Sequence, residues 1–459
     1  MPAIEHLTSE DAEILRLEAG PIAGHMLKVV VAERPTQEDD LLTALRKRVA
    51  AGVSQTPRYT QRLVPTPFGV APPAWVSDPD FDVRRHVRRS PVAAGDREQF
   101  RAAVASSMSE RLDRRHPLWT VELFEGLEHG RVAYILKIHH CMADGMAAMR
   151  LASELLWDSS AEAGIAPDGE RPSPGPPPGS VRLLASGVSE RARGLRLTGA
   201  ATARTLISPP RRRAEEAELA RIPSTVRREL RAGRGHSPLD APVHRSRTVA
   251  FVTWPLDDLK RAGHAQGGTV NDVILAAVAG GLRGWLLRRG DGLPDVRVKV
   301  PVSMHHGDEG HAALGNRDSF FFVDLPLSER DPRRRLEAVR RETAERKRAH
   351  DAETLYMLFN DLAHVSKRAY RRANAIAGRP GVFSLCVSNV PGPRERLYVL
   401  GERIEEVHSL AEVGDRHGLR ISAVSYCGSV SLGLCADPAA VHDLDSLAAA
   451  LEEALAELD

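Results

Sequence analysis

Residues 131–145 read RVAYILKIHHCMADG, and the fold hangs on how that run is parsed. RVAYILKIHH is short, rich in β-formers and preceded by Gly130, which predicts a buried strand over 131–140. The apolar positions Met149, Ala152, Leu155 and Leu156 then recur at helical spacing and predict a helix over 145–157. A strand therefore hands the chain to a helix through His139, His140, Cys141, Met142, Ala143, Asp144 and Gly145. Successive strand side chains point to opposite faces, so the two imidazoles do not share one pocket, and one works while the other supports. The same geometry weighs against a metal site, because adjacent strand histidines do not converge on one ion and Asp144 is the only further donor nearby. Asp144 falls where a carboxylate caps backbone N–H groups or holds a basic side chain, and Gly145 permits close backbone approach. A packed, hydrogen-bonded histidine pair is the bland alternative, and the pair alone does not decide against it.

Working outward towards the N-terminus, an apolar run predicts a strand over 22–31, and Leu41, Leu42, Leu45 and Val49 predict a helix over 39–50. Residues 75–89 read as extended and surface-lying, and 99–112 as a helix. A first domain so closes near residue 160. Towards the C-terminus, AEAGIAPDGERPSPGPPPGS over 161–180 has the proline and glycine content of an exposed linker. Leucines interspersed with Arg182, Arg191, Arg193, Arg196 and Arg204 then mark 181–207 as an amphipathic basic helix, although Gly194 and Gly199 weaken it. Two readings stand for that helix: a crossover packed on the domains, or a contact with a lipid interface. From Pro238 on, strands are expected over 247–252, 296–302, 319–325, 383–388, 419–425 and 430–435, with helices over 256–264, 271–287, 333–348 and 442–458. The expected organisation is a first domain over 1–160, a linker and crossover helix over 161–237, and a second domain over 238–459. Strands and helices mix in both, so the class is α/β with mixed sheets.

Bulk properties agree. A chain of 459 residues exceeds the size at which one core stops growing, so two domains of about 200 residues are expected. Lys and Arg number 63 against 61 Asp and Glu, a net charge of +2, which argues against a nucleic-acid partner. Cys141, Cys386, Cys427 and Cys435 form no CxxC pair, as expected for a reducing, cytoplasmic setting. The opening MPAIEHLTSEDAEILRLEAG has no basic stretch ahead of an apolar core and so does not resemble a secretion signal. The most apolar window, 270–287, contains Asp272 and Arg283 and reads as a buried helix, so any contact with lipid is expected to be peripheral.

HHxxxDG at a strand–helix junction resembles the signature of the CoA-dependent acyltransferase superfamily, which includes chloramphenicol acetyltransferase and the condensation domains of peptide synthetases. Further motifs narrow the likeness. LTSEDAEILRLE near the start, RYTQRLVPTPFG from Arg58, HPLW over 116–119, TVNDVILA over 269–276, the GN of Gly315 and Asn316, and SNVPGP over 388–393 follow in the order seen in the bacterial wax ester synthase/diacylglycerol acyltransferase family. The resemblance spans about residues 7 to 437 and spares the linker.

That resemblance implies two chloramphenicol acetyltransferase-like subdomains with mixed sheets flanked by helices, and an active-site tunnel between them. It makes His140 the general base, with His139, Asp144 and Gly145 maintaining its surroundings. Pro117, Leu118 and Trp119 become candidates for shaping a substrate channel, with a core role as the alternative for Trp119. Asn271 and Asp272 become candidates for facing developing negative charge, with an N-cap as the alternative for Asn271, and Ser388 and Asn389 for substrate contact. Acyl-CoA is implied as co-substrate, with no bound cofactor and no metal. A long-chain alcohol or diacylglycerol is the implied acceptor, and a membrane or lipid-droplet surface a further partner. A neutral imidazole suits the activation of an alcohol, and CoA leaves readily as a thiolate, so no covalent acyl-enzyme is needed; the chain has no GxSxG elbow. Cys141 is a poor nucleophile candidate, being one residue from His140 and pointing elsewhere. Two other readings stay open: transfer from a carrier protein to a specialised alcohol or amine, and a non-catalytic lipid-coating protein. Two departures from the family pattern bear on substrate choice. Met304 leads into HHGDEGH over 305–311 where an arginine is usual, and Asp240 stands where asparagine is expected. A solvated polar turn is the preferred reading of HHGDEGH over a metal site.

Overall fold

The computed structural model describes residues 4–35, 40–92, 95–160, 177–207, 209–231, 237–304 and 316–458. Two six-stranded sheets dominate. The first runs, in spatial order, Tyr398–Val399, Glu402–Ala411, His25–Ala32, Arg131–His139, Trp119–Leu127 and Val87–Arg89. The second runs Asp318–Leu325, Val296–Ser303, Leu385–Val390, Leu419–Tyr426, Ser429–Ala436 and Thr248–Pro255. Both are mixed: Val87–Arg89 is parallel to its neighbour, and Leu385–Val390 is parallel to both of its own. A small sheet of Glu5–His6, Ala74–Ser77 and Gln61–Val64 flanks the first half. The class is the α/β mixed-sheet architecture expected.

Contiguous halves do not follow from it, because Tyr398–Val399 and Glu402–Ala411, which lie within the expected second domain, complete the first sheet on the edge of His25–Ala32. The sequence ERIEEVHSLA conceals this strand: charged residues crowd its first half, and a register shift between Ile404 and Glu406 breaks the alternation that marks a strand. Residues 75–89 also differ from expectation. Ala74, Trp75 and Val76 are buried in a strand, Val83–His86 is a short helix, and Val87–Arg89 joins the first sheet. Trp119–Leu127 escaped notice because its centre carries Glu122, which is buried and paired with Arg88 at 2.8 Å. Helices Pro209–Glu229, Asp351–Val365 and Lys367–Ala377 were likewise not anticipated. The linker over 161–176 and the HHGDEGH loop over 305–311 lie outside the described residues.

Strand alternation sorts the second sheet into two faces. Val298, Leu385, Val387, Leu419, Ile421 and Ala423 pack into the core beneath helix Val270–Arg288, which is apolar enough to cross a membrane but is almost wholly enclosed there. Their neighbours Lys299, Cys386, Ser388, Val390, Arg420, Ser422 and Val424 face the first half, whose core Val424 joins and Val390 packs against. The halves are knit at one end by a buried ion pair, Arg247 Nε to Glu412 Oε1 at 2.7 Å, and by Phe251 tilted against His408 with centroids 4.3 Å apart. The histidine turn thus lies where the inner faces of two sheets meet.

Helix Ser180–Ile207 is seated on the first half through Leu183, buried against Ala74 and Val76, and through a hydrogen bond between Ser186 and His6 at 2.8 Å. Val181, on the outer side of this helix, is 83% exposed.

Candidate active site

The strand Arg131–His139 ends in a tight turn in which Met142 N donates to His139 O at 2.9 Å. His140 is fixed through its backbone on both sides. Its N–H donates to Gly24 O at 2.9 Å, and its carbonyl accepts from Asn316 Nδ2 at 2.6 Å. Asn316 is itself held by Asp11 Oδ1, which accepts from its Nδ2 at 2.5 Å and its N at 3.3 Å. Gly24 has a left-handed φ of +68°, and a Cβ there would stand 2.9 Å from His139 Nε2, so both conformation and space call for glycine.

The paired histidines have opposite surroundings. His139 Nδ1 accepts the Cys141 N–H at 3.1 Å, which puts its proton on Nε2, where it is donated to Glu18 Oε2 at 3.2 Å. The Glu18 side chain is only 4% exposed, but hydrogen bonds from His139 and Arg114 hold its carboxyl below the usual range. His139 is thereby locked. The ring of His140 makes no hydrogen bond of good geometry among the described residues, and its Nδ1 is sealed from solvent. Burial, Arg420 and His139 together push the His140 imidazole down to about 3, against an opposing pull from Asn316 and its own carbonyl. It is therefore neutral at physiological pH, and its Nδ1 carries no hydrogen bond. Burial pushes the Cys141 thiol well up, which removes it as a thiolate nucleophile.

Asp144 starts the next helix, Gly145–Leu155, accepting from Ala147 N at 2.8 Å, and is itself fully buried. Gly145 meets the other sheet. A Cβ on it would stand 2.8 Å from Val390 Cγ2, so this glycine lets the helix start touch strand Leu385–Val390. Two residues back along that strand, Ser388 shares the inner face, with its hydroxyl 3.3 Å from that of Ser422. Ser388 is thus brought to the side of the sheet that faces His140.

Other expected residues are not. Asn389 alternates to the opposite face of the strand. Asp272 forms a capping box with Thr269, accepting its N–H and its hydroxyl at 2.8 Å each, and its other oxygen accepts from Thr343 at 2.6 Å. That helix packs against Leu444–Ala456, Pro332–Ala349 and Leu256–Ala265, so Asn271 and Asp272 stand at a helix start that does not carry the histidines, and the N-cap itself is Thr269. Pro117, Leu118 and Trp119 are buried. They also brace the strand: Leu118 O accepts from His139 N at 3.0 Å, and Trp119 donates to Tyr59 O at 2.9 Å while stacking on His86. The sequence had no role for Asn316, Asp11 or Glu18, although each lies in a segment that carried the family resemblance. Nothing in the string links residues 11, 140 and 316 before the chain is folded.

A neutral imidazole at the meeting of two mixed sheets sits here in a fold of the condensation-domain type, which solved structures share. The first condensation domain of the calcium-dependent antibiotic synthetase superposes with a TM-score of 0.60 at 18% identity, covering 99% of this chain and 95% of that one. The wax ester synthase/diacylglycerol acyltransferase of Marinobacter aquaeolei VT8 superposes with a TM-score of 0.69 at 23% identity, covering 99% and 98%. Family models for the wax ester synthase/diacylglycerol acyltransferase catalytic domain and for the C-terminal domain match residues 7–274 and 314–459. A putative diacyglycerol O-acyltransferase of Mycobacterium tuberculosis is 31% identical over 99% of this chain and 97% of its own length. The O-acyltransferase WSD of Acinetobacter baylyi is 29% identical over 83% and 81%. The chain belongs to the wax ester synthase/diacylglycerol acyltransferase family.

Proposed function

We propose that this acyltransferase moves a long-chain acyl group from acyl-CoA to the hydroxyl of a long-chain alcohol or a diacylglycerol, directly and without an acyl-enzyme. The observation that carries the reading is the neutral imidazole of His140, with Nδ1 unpartnered and the backbone held on both sides. His140 accepts the proton of the alcohol as oxygen attacks the thioester carbonyl. Collapse of the tetrahedral intermediate breaks the C–S bond, and the imidazolium returns the proton to the departing sulfur. A base held at about 3 is weak in the empty site. Its imidazolium gains stability only when negative charge develops beside it, so the proton moves in concert with bond formation. Ser388, on the facing strand, is the residue we assign to the oxygen of that intermediate.

Protein incubated with palmitoyl-CoA and either hexadecanol or dioleoylglycerol is expected to release CoA thiol in proportion to the ester formed. Turnover confined to acyl groups on a carrier protein would replace this reading with the condensation-type one, for which the shared fold is the supporting observation. The protein is read as cytoplasmic and peripheral on a membrane or lipid droplet. Val181 and Val188, on one side of helix Ser180–Ile207, are 83% and 55% exposed, and Phe68, in the turn packed on that helix, is 92% exposed. Arg182, Arg191 and Arg193 on the same helix suit an anionic lipid surface.

A further inference from the structure

The inner face of the second sheet carries charge for which the transfer so far described has no use. Cys386 lies opposite both Lys299 and Arg420 in register, so the three stand side by side in one row. Lys299 has no ion pair or hydrogen bond among the described residues; its ammonium lies 4.2 Å from the ring centroid of Phe320. The direct cross-strand partner of Lys299 is Phe322, and Phe320 is two residues nearer to Asn316. The lysine therefore leans along the sheet towards the end that holds the His140 carbonyl, and Phe320 itself stands only about 7 Å of strand from Asp318 at that end. Glu10 approaches from the first half. Its neighbour Asp11 is bonded to Asn316, while Glu10 makes no hydrogen bond or ion pair among the described residues. Burial, with Asp11 and Asp318 beside it, pushes the Glu10 carboxyl up to about 9, so at neutral pH it is a protonated donor.

An unbranched fatty alcohol spends its one oxygen at His140 and would lay methylenes against this pair. Leaving a donor unsatisfied in an enclosed site is unfavourable, and sites built to hydrogen-bond an oxygen discriminate strongly against analogues that lack it. We propose that the acceptor carries a second oxygen function a few bonds from the reacting hydroxyl, as the ester carbonyl of a partial glyceride does, and that Lys299, seconded by Glu10, binds it. The inference rests on the acyl-transfer reading above and decides between its two acceptor classes.

The test compares 1,2-dioctanoylglycerol with hexadecanol in the same detergent micelles, with palmitoyl-CoA as donor and thiol release as readout. The intact enzyme is expected to favour the glyceride in kcat/KM by about tenfold or more. Lys299→Met keeps the stem and removes the ammonium. It should cost the glyceride about tenfold, leave hexadecanol within about threefold, and so erase the preference, whereas Lys299→Arg should retain it. Equal use of both acceptors by the intact enzyme would overturn the proposal without needing any variant to fold. So would a Lys299→Met protein that loses both activities alike. Absence of thiol release with either acceptor would instead sink the acyl-transfer reading, and this inference with it.

Discussion

Two stretches of this chain place an aspartate at the start of a helix inside a motif, and they do different things. In one, Asp144 caps Gly145–Leu155; in the other, Asp272 closes a capping box with Thr269 on Val270–Arg288. The local chemistry is nearly the same. What differs is the element across from each. Gly145 touches Val390 on the inner face of the second sheet, with Ser388 two residues along. Asp272 meets Thr343 on a neighbouring helix, with the outer core around it. The first stretch puts a free imidazole between two halves of the molecule, and the second fastens two helices together. A cap motif therefore marks where a helix begins, and only the partner surface makes one a site of reaction.

The largest effect that would test this contrast is on the ring itself. His140→Ala is expected to lower thiol release by about 10²–10⁴-fold with little change in thermal unfolding near neutral pH. A variant retaining full rate would remove the first stretch from the chemistry. Acid should separate the stretches as well. The His140 pKa in the fold, about 3, lies below its ordinary value, so as pH falls below about 6.5 the unfolded chain binds a proton that the native site refuses. Stability is therefore lost as pH falls, by up to about 1.4 kcal/mol per pH unit from this residue. Denaturant titrations of His140→Asn should show a curve flatter by about that slope between pH 4.5 and 6, and an unchanged slope would mean the ring is solvated. Asn316→Ala comes next in size. It leaves the His140 carbonyl without its Asn316 donor and takes the shorter of two hydrogen bonds from Asp11 Oδ1, a cost of about 1–3 kcal/mol by chemical denaturation, and the rate per folded molecule should fall with it as His140 loses one backbone anchor.

How much of this was legible depends on what alternation and spacing can carry. The strand over 131–139, the helix after it and the inward strands of the second sheet show their periodicity openly, and the order of motifs pointed to the family. Glu402–Ala411 did not, because charges and a register shift mask its pattern, and its place in the first sheet depends on a pairing with residues nearly four hundred positions earlier. The site divides in the same way. His139, His140, Asp144 and Gly145 are contiguous, and their junction is a local event. Motif resemblance offered Trp119, Asp272 and Asn389 as substrate-facing candidates, but whether such a residue faces a recess or a core is settled by the packing of elements far apart in the chain. Asn316 and Asp11 make the point from the other side, since their bond to the turn exists only in three dimensions.

The smallest effects bear most directly on the contrast, because both stretches can be perturbed without touching the imidazoles. Gly145→Ala drives a Cβ to within 2.8 Å of Val390 Cγ2, an overpacking worth about 1–3 kcal/mol unless the sheets move apart. Separation of the sheets should move the inner face that carries Ser388 away from the histidine turn, so activity falls along with stability, and Val390→Ala in the same protein should recover both. Asp272→Ala removes a cap and the acceptor of the Thr343 hydroxyl, which is expected to cost about 1–2 kcal/mol of stability. Its kcat per folded molecule should stay at the level of the intact enzyme, because among the described residues Asp272 bonds only Thr269 and Thr343, neither of which hydrogen-bonds the histidine turn. A fall in kcat for Asp272→Ala at a temperature where the variant is fully folded would mean that the two helix starts are coupled through the second sheet, and that the division between a reacting and a fastening aspartate is drawn too sharply.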